Sequence, residues 1–325
     1  MAGIGQRRGD TGRPMTSPVS PSPRRPLPAL VFEWPTLLLA VVIYGGWAAL
    51  TLFHRLIPPL LLAAAGGWLI AWHASLQHEI IHDHPTPWRR VNTALGMVPL
   101  SLWLPFELYR RLHTVHHVME NLTDPVLDPE SRYLASGDAR ARLDRLVGRS
   151  QSSLLGRLVL GPIIDASLFL AGEMILLARG DMDRLRIWAV HGLLAVPVLA
   201  WLHFVCSMNL GLYLLCFVYP GGALSLIRSY AEHRAHPDPL RRTAAVERAP
   251  VLGLLFLYNN LHPAHHYQPD VPWYKLPALY NRERERLLSA NGALVYQGYG
   301  EVFRRFLLRP HDTLMHADAI RDRHT

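Results

Sequence analysis

The sequence contains little charge, almost no lysine and only two cysteines. Charged residues make up 18% of its 325 residues, below the roughly 25% of an average soluble domain. Lys275 is the only lysine, so arginine carries the formal charge of +8. Cys206 and Cys216 lie in apolar runs, which excludes a disulfide framework and a thiolate metal site. Long apolar runs beside arginine-rich segments indicate a membrane protein rather than a nucleic-acid-binding protein.

The two ends of the chain differ in composition from its middle. Residues 1–28 are rich in Pro, Arg, Ser and Gly and have no long apolar run, which predicts a disordered basic tail rather than a signal peptide. We expect one membrane domain over residues 29–285 and a polar C-terminal tail over residues 286–325, with His311 solvated.

Four apolar segments predict transmembrane helices, at residues 34–53, 60–72, 187–205 and 210–227. The second reaches the ~20 residues that a bilayer requires only if its polar extension is helical. We therefore predict an all-α integral membrane protein with four transmembrane helices in two hairpins. Residues 154–177 are also apolar, but Arg157, Asp165 and Glu173 interrupt them, which favours an interfacial amphipathic helix over a fifth span.

The arginines predict the orientation of these helices. Arginines are frequent in the N-terminal tail, after the second span and after the fourth. The link between the first two spans carries only Arg55, and the link between the last two carries no charge. Because positive residues mark the cytoplasmic side, both termini and every polar segment of interest are expected there, as a helical cap on the bundle.

A zinc-protease motif stands at the end of the second span. His78-Glu79-Ile80-Ile81-His82 places two histidines at i and i+4 on one helical face, with a glutamate that could act as general base. An intramembrane zinc protease also needs a distant third ligand, and the later spans contain no aspartate. A histidine-rich metal transporter would instead place polar ligands inside the spans.

Two further clusters share the spacing H-x-x-H-H, and each follows a span by about thirty residues. One contains His113, His116 and His117, and the other His262, His265 and His266. On a helix, all three imidazoles of such a cluster lean toward one side. Eight imidazoles are too many for one tetrahedral zinc and suggest a two-metal site. A ferritin-like carboxylate site does not fit, because Glu79-Ile80-Ile81-His82 is the sole Glu-x-x-His.

HEIIH, HTVHH and HPAHH together resemble the three-histidine-box pattern of the integral-membrane fatty acid desaturase superfamily. The similarity extends to PFELYRRLHTVHHVMENLTDPVLDPES around the second box and NNLHPAHHYQPDVPWYKLPALY around the third. The resemblance implies two nonheme iron ions, ligated almost entirely by histidine, that use O2 to attack an unactivated C–H bond. Desaturation of a fatty acyl chain is the favoured reaction. Hydroxylation or ketolation of a lipid or carotenoid is the alternative, because relatives with those activities have nearly the same boxes.

The resemblance also implies roles for residues outside the eight box histidines. His233 lies in the stretch SYAEHR, and family members carry an additional ligating histidine in a similar stretch, so His233 is expected to be the ninth ligand. His236 is not expected to be a ligand, because it faces a loop where proline breaks the helix. His73 offers an alternative first-box ligand. Four further residues are expected to hold the imidazole N–H groups of the ligands by hydrogen bonds: Glu79, Asp124, Asp128 and Asn260.

Removing two hydrogens while reducing O2 requires two more electrons. The chain has no Gly-rich dinucleotide fingerprint, no iron–sulfur cysteine set and no fused haem domain. A separate electron donor such as a ferredoxin is therefore expected to dock on the basic cytoplasmic face, and the other expected partner is a lipid or acyl substrate in the membrane.

Overall fold

The computed structural model describes residues 32–118, 142–236 and 238–311 of the chain. The described residues are mainly helical, which confirms the all-α class. The helices are α1 (Trp34–Leu52), α2 (Pro59–Ile81), α3 (Arg89–Gly96), α4 (Phe106–Val118), α5 (Arg142–Gln151), α6 (Leu154–Ala178), α7 (Met182–Ala200), α8 (Leu210–Tyr213), α9 (Tyr219–Glu232), α10 (Pro250–Leu255), α11 (His262–Tyr267), α12 (Leu276–Ala290) and α13 (Tyr299–Phe306). Two short strands, β1 (Ala245–Val246) and β2 (Val295–Tyr296), pair in parallel.

The long helices form two antiparallel hairpins. α1 and α2 each begin with a proline in the first turn, where its missing N–H costs no hydrogen bond, and one 3-10 turn at His54–Leu56 joins them. π-helical turns extend the second pair, so that Met182–Val205 and Leu210–Glu232 are each continuous. Arg55 Nη2 donates to Ser207 O at 3.4 Å, which places the turns of both hairpins at one end of the bundle, here called the turn end.

The opposite end of the bundle, here called the cap end, is where α1 and α7 begin and α2 and α9 end. The indole N–H of Trp273, in the segment before α12, donates to Thr36 Oγ1 of α1 at 3.0 Å. Arg111 of α4 pairs with Asp183 at the start of α7. These contacts fasten the shorter helices, which carry most of the polar residues, across the cap end.

α2 and α9 cross closely in the centre of the bundle. A Cβ at Gly66 would lie 2.6 Å from Cys216 O, and one at Gly221 would lie 2.5 Å from Ile70 Cβ. Only glycine permits this approach. The close crossing fixes the end of α2 relative to the end of α9, and both ends carry histidines.

Five helices of the described part of the chain are long and apolar enough to cross a membrane: α1, α2, α6, Met182–Val205 and Leu210–Glu232. The four expected spans are among them, and the fifth is α6, which we expected to lie at the interface. Its polar residues have partners. Arg157 donates to Gln151 Oε1 at 3.0 Å, Gln151 donates to Asp165 at 3.0 Å, and Glu173 pairs with Arg184.

The segment that we expected to be a polar tail is folded over its described part. α12 continues to Ala290 across the expected boundary, and Tyr299 and Val302 of α13 are buried in the cap. His311 is buried too, 2.7 Å from the Tyr296 hydroxyl. Composition misjudged α13 because its apolar residues form only one face of a short helix that also carries Glu301, Arg304 and Arg305.

Candidate metal centre

The second transmembrane helix supplies the first two histidines. α2 extends about two turns beyond its apolar part, so that His78 is in its last turn and His82 caps it. The two rings lie on one face, with centroids 5.1 Å apart. The polar residues after the apolar part of the second span are therefore helical, as its length required, and they place both imidazoles at the cap end.

α4 supplies three histidines and α11 supplies three more, as the H-x-x-H-H spacing predicts. α11 begins at His262 and has Pro263 in its first turn. An antiparallel bridge between Ala245 and Leu261 holds the residue before α11 against β1. α4 is anchored by the pair between Arg111 and Asp183. Each helix thus presents its imidazoles from a fixed position.

The ninth histidine follows α9 directly. His233 has extended backbone (φ −125°, ψ 146°) and forms an antiparallel bridge with Thr243. Its Nδ1 lies 3.3 Å from the Arg242 carbonyl. His236 lies apart, and its Nδ1 accepts a hydrogen bond from the Asp238 amide at 2.9 Å. The structure therefore brings His233, and not His236, to the other eight.

All nine predicted ligand histidines converge into two groups. Within each group, one ring nitrogen of every member lies within 4.8 Å of the others. The five-histidine group consists of His78, His82, His113, His117 and His265. The four-histidine group consists of His116, His233, His262 and His266.

The helices α4 and α11 each serve both groups. α4 gives its i,i+4 pair, His113 and His117, to the five-histidine group and His116 to the other. α11 does the reverse, because its pair His262 and His266 belongs to the four-histidine group while His265 joins the five. The two groups are therefore parts of one interlocked cluster.

The distances between ring nitrogens fit metal ions of high coordination number. At the roughly 2.0–2.1 Å of a metal–imidazole bond, ligands at right angles lie about 2.9 Å apart and ligands at the tetrahedral angle about 3.4 Å. The Nε2–Nε2 distances are 3.2 Å for His82–His113, 2.9 Å for His113–His117, 3.0 Å for His117–His265, 3.0 Å for His116–His233, 2.9 Å for His233–His262 and 3.0 Å for His262–His266. Most of these are close to the right-angle value.

One pair of rings is arranged so that a cation would fit between two nitrogen lone pairs. The Nδ1 atoms of His233 and His262 face oxygens, Arg242 O at 3.3 Å and Asn259 Oδ1 at 3.1 Å, so both must donate their hydrogen there. In the neutral rings both Nε2 atoms then carry only lone pairs, yet they are 2.9 Å apart. A metal ion between them converts this repulsion into ligation, and the oxygens hold the rings in the required tautomer.

Burial keeps the imidazoles in the form that binds metals. The pKa of His262, His265 and His266 lies well below its ordinary value, first because of burial and then because of neighbouring imidazoles. Since only neutral imidazole ligates, the rings are ready to bind at neutral pH.

The residues that we predicted to hold the imidazoles by hydrogen bonds do not form such bonds where the structure describes them. Glu79 Oε1 is 4.0 Å from His78 Nδ1, too far for a hydrogen bond, and Oε2 accepts from the Trp273 amide at 3.0 Å. Asn260 does not contact a histidine of the cluster; its amide donates to Val246 O at 2.7 Å. It holds β1 instead. Asp124 and Asp128 lie outside the described residues.

Two residues that sequence reasoning missed do contact the cluster. Asn259 lies 3.2 Å from His78 Nε2 and accepts from His262 Nδ1, so it touches both groups. Glu232 Oε1 is 3.5 Å from His262 Nδ1 and 3.3 Å from Arg228 Nε. The sequence held a signal for Asn259, because it lies three residues before His262, although only its neighbour Asn260 was predicted.

The remaining histidines of the cap and bundle have other surroundings. His73 is buried beside Tyr44, five residues before His78, and belongs to neither group. The alternative first-box ligand is therefore not brought to the cluster. His84 pairs with Glu33 at 2.6 Å and ties the start of α1 to the end of α2.

Comparison with known protein families identifies one match. The sequence model described as Fatty acid desaturase matches residues 53–298, which include every histidine of both groups. No curated protein sequence matches the chain.

Proposed function

Because the chain belongs to the fatty acid desaturase family, we propose that its cluster holds two iron ions and uses O2 to introduce a double bond into a fatty acyl chain. The observation that carries the proposal is the convergence of nine histidines into two groups with facing nitrogen lone pairs. In the described residues no carboxylate belongs to either group. An all-histidine donor set accepts iron, although it does not by itself exclude zinc.

One ion would be held by each group. The iron pair supplies the oxidising power that removes hydrogen from a saturated carbon, which no side chain of the protein provides. The protein keeps the imidazoles neutral, aims them and excludes water. His113, His116 and His262 are all at most 2% exposed, consistent with that role.

Asn259 and Glu232 are proposed to orient the imidazoles. The Asn259 carbonyl oxygen accepts the Nδ1 hydrogen of His262, and the Glu232 carboxylate lies near the same nitrogen. Arg228 neutralises that carboxylate from one turn earlier on α9. Such outer partners raise ligand basicity and fix the ring plane.

We propose that four helices cross the membrane and that α6 lies along its surface. The end of α6 and the start of α7 are three residues apart, and Asp183 of α7 pairs with Arg111 beside His113. These contacts put the end of α6 at the cap end. The start of α6 is there too, because the Tyr230 hydroxyl, near the end of α9, donates to Ser152 O just before α6. A helix whose two ends are on one side does not cross.

The arginine distribution supports a cytoplasmic cap. Arg55 is the only basic residue of the two turn-end links, whereas arginines are frequent around the histidines. Reporter tags test this topology. Tags at Gly180 and at the C-terminus should label from the cytoplasmic side and a tag at residue 208 from the other. Labelling of Gly180 together with residue 208 would contradict the four-helix arrangement.

We further propose that a separate donor such as a ferredoxin supplies the electrons. The chain carries no redox motif of its own besides the histidine cluster. Purified protein should oxidise substrate with O2 only when a reduced donor is added. Turnover with NAD(P)H and O2 alone would contradict this part of the proposal.

Metal analysis and lipid analysis together test the reaction. We expect two irons per chain, and a monounsaturated acyl product in cells that express the chain but not in cells that express a His262→Ala variant. A hydroxylated or ketolated lipid or carotenoid would assign the alternative reaction to the same metal centre. One zinc per chain, with activity independent of iron and O2, would refute the proposal and favour the protease reading of His78, Glu79 and His82.

A further inference from the structure

A second concave site lies on the cap, outside the histidine cluster. It is a cavity of ≈ 340 Å³ between the segment after α9, the loop between α12 and β2, and α13. Arg234, His236 and Arg241 line it from the segment after α9, and Arg305 lines it from α13. Among the described residues, no acidic side chain lines it. Nothing in the proposed oxidation chemistry uses these residues.

Three of the side chains that line the cavity, those of His236, Arg241 and Arg305, offer hydrogen-bond donors. The Nδ1 of His236 accepts from the Asp238 amide, so its hydrogen is on Nε2 and that nitrogen is a donor. Arg241 pairs with Asp238 through Nε at 3.4 Å, and Arg305 pairs with Glu301 through one Nη at 2.9 Å. Each of these contacts occupies one nitrogen of a guanidinium that has five N–H donors.

Two of the arginines are held in place by their surroundings. The Arg305 guanidinium lies over the Tyr296 ring, 5.7 Å from its centroid, and Glu301 is one turn earlier on α13. Arg241 packs on Gly292, where a Cβ would lie 3.1 Å from Arg241 Cδ. Gly292 also has φ +69°, a conformation that favours glycine. The loop is therefore built to let Arg241 reach over it.

The geometry points to a phosphate-binding site. Planar guanidinium groups bind phosphate oxygens in pairs, and several of them around one cavity are typical of phosphate recognition. The volume is near the lower end of the roughly 300–1,000 Å³ of ligand pockets, which suits a phosphate group with a small substituent and not an acyl chain.

The surroundings of the cavity favour a lipid head group as the source of the phosphate. Leu240, next to Arg241, is 62% exposed, and Leu308, three residues after Arg305, is 74% exposed. Leu307 O accepts from the Leu155 amide, so the end of α13 adjoins the start of α6, whose apolar side chains are also exposed. Exposed leucines beside arginines fit a membrane surface, where leucine meets acyl chains and arginine meets phosphates.

The test compares an Arg241→Gln/Arg305→Gln double variant with an Arg282→Gln control. Arg282 is also exposed, on α12, and pairs with Glu283, but it does not line the cavity. Native mass spectrometry of protein purified in mild detergent counts bound phospholipids. Thermal shift with inorganic pyrophosphate, in nanodiscs of uncharged lipid, measures binding of soluble phosphate. Helicity and elution volume confirm that each variant is folded.

If the site takes lipid phosphate, the parent and the Arg282→Gln control retain a phospholipid that the double variant loses. The affinity of the double variant for that lipid should be at least about tenfold weaker than that of the parent. If pyrophosphate stabilises the parent and the control but not the double variant, while lipid retention is equal, the site takes phosphate from a soluble compound. The proposal is overturned if the double variant matches the control in both measurements.

Discussion

The five-histidine group and the four-histidine group are built from different kinds of backbone. Every member of the five-histidine group lies on α4 or α11 or in the last residues of α2, so helical spacing sets its geometry. The four-histidine group depends on His233, which has extended backbone and is held by the bridge to Thr243 and by Arg242 O. Both groups need the folded cap to bring their helices together, but only the four-histidine group also needs a residue whose backbone is extended.

The group with fewer histidines also has the more elaborate outer contacts. His233 and His262, both in the four-histidine group, donate to oxygens, and Glu232 lies near His262. Four ligands leave an ion with more open positions than five do. The comparison therefore suggests that the four-histidine site binds its ion less tightly and depends more on neighbouring residues. The predictions below test this difference, beginning with the largest effect.

His233→Ala should abolish activity and remove the ion of the four-histidine group. Loss of a direct ligand should exceed the roughly 10–100-fold cost of losing an outer partner. Iron per chain and turnover are the measurements, with His236→Ala as the control because His236 is three residues away but outside the cluster. Indistinguishable variants would remove His233 from the site.

Acidification should release metal, and from the four-histidine group first. The folded-state pKa of His262, His265 and His266 is lowered by burial, whereas unfolded histidine titrates near about 6.5. Below that pH the unfolded chain binds more protons than the folded one, so stability and metal affinity fall as pH falls. The iron retained after dialysis at a series of pH values should fall in two steps, with a plateau near one ion per chain. Simultaneous loss of both ions would contradict the difference between the groups.

Asn259→Ala should reduce metal affinity or turnover by about 10–100-fold, as for other residues that orient ligands. Asn260→Ala is the matched control. Asn260 holds Val246 O, so its loss should lower the free energy of unfolding by about 1–3 kcal/mol without lowering iron per folded chain. Iron titration and thermal unfolding of both variants separate the two roles. If Asn260→Ala has the larger effect on iron, the structural assignment is reversed.

Glu247→Gln should have the smallest effect. Glu247 follows β1 and accepts from Arg284 and Tyr280, and the Arg284 hydrogen bond chiefly lowers its pKa. The stability that these contacts give the folded protein is present above the pKa of Glu247 in the unfolded chain, and it is lost as the pH falls through the lower pKa of Glu247 in the folded chain. Since the Arg284 guanidinium is 44% exposed and water screens its charge, we expect the pair to contribute at most about 1 kcal/mol. Thermal unfolding at neutral pH should fall slightly below that of Glu283→Gln, and the difference should vanish in acid.

The sequence predicted most of the site because its information was local. The H-x-x-H-H and H-x-x-x-H spacings determine which imidazoles share a helical face, and that is enough to find eight of the nine histidines that converge. His233 was found from the similarity of its surrounding stretch rather than from spacing. Asn260 was predicted and Asn259 was missed, because the side chains of adjacent residues point in different directions, and here the fold turns that of Asn259 toward His262.

The fold was predicted less completely. The hairpins followed from apolar length, but α6 meets the same criterion, and only the contact between Arg111 and Asp183 indicates where its end lies. The folded C-terminal segment was missed because Tyr299 and Val302 gain their burial from α9 and α10, which are distant in sequence. Composition alone does not report such contacts.

The crossed contribution of α4 and α11 has a consequence for how the protein is loaded in the cell. The first ion to bind would hold imidazoles of both helices in place, since each helix gives ligands to both groups. The second ion would then find its remaining ligands already oriented and would not bear the entropic cost of orienting them. Occupancy of one group should accordingly strengthen binding at the other: a variant that cannot hold the ion of the five-histidine group, such as His82→Ala, should also bind the ion of the four-histidine group more weakly than the parent does.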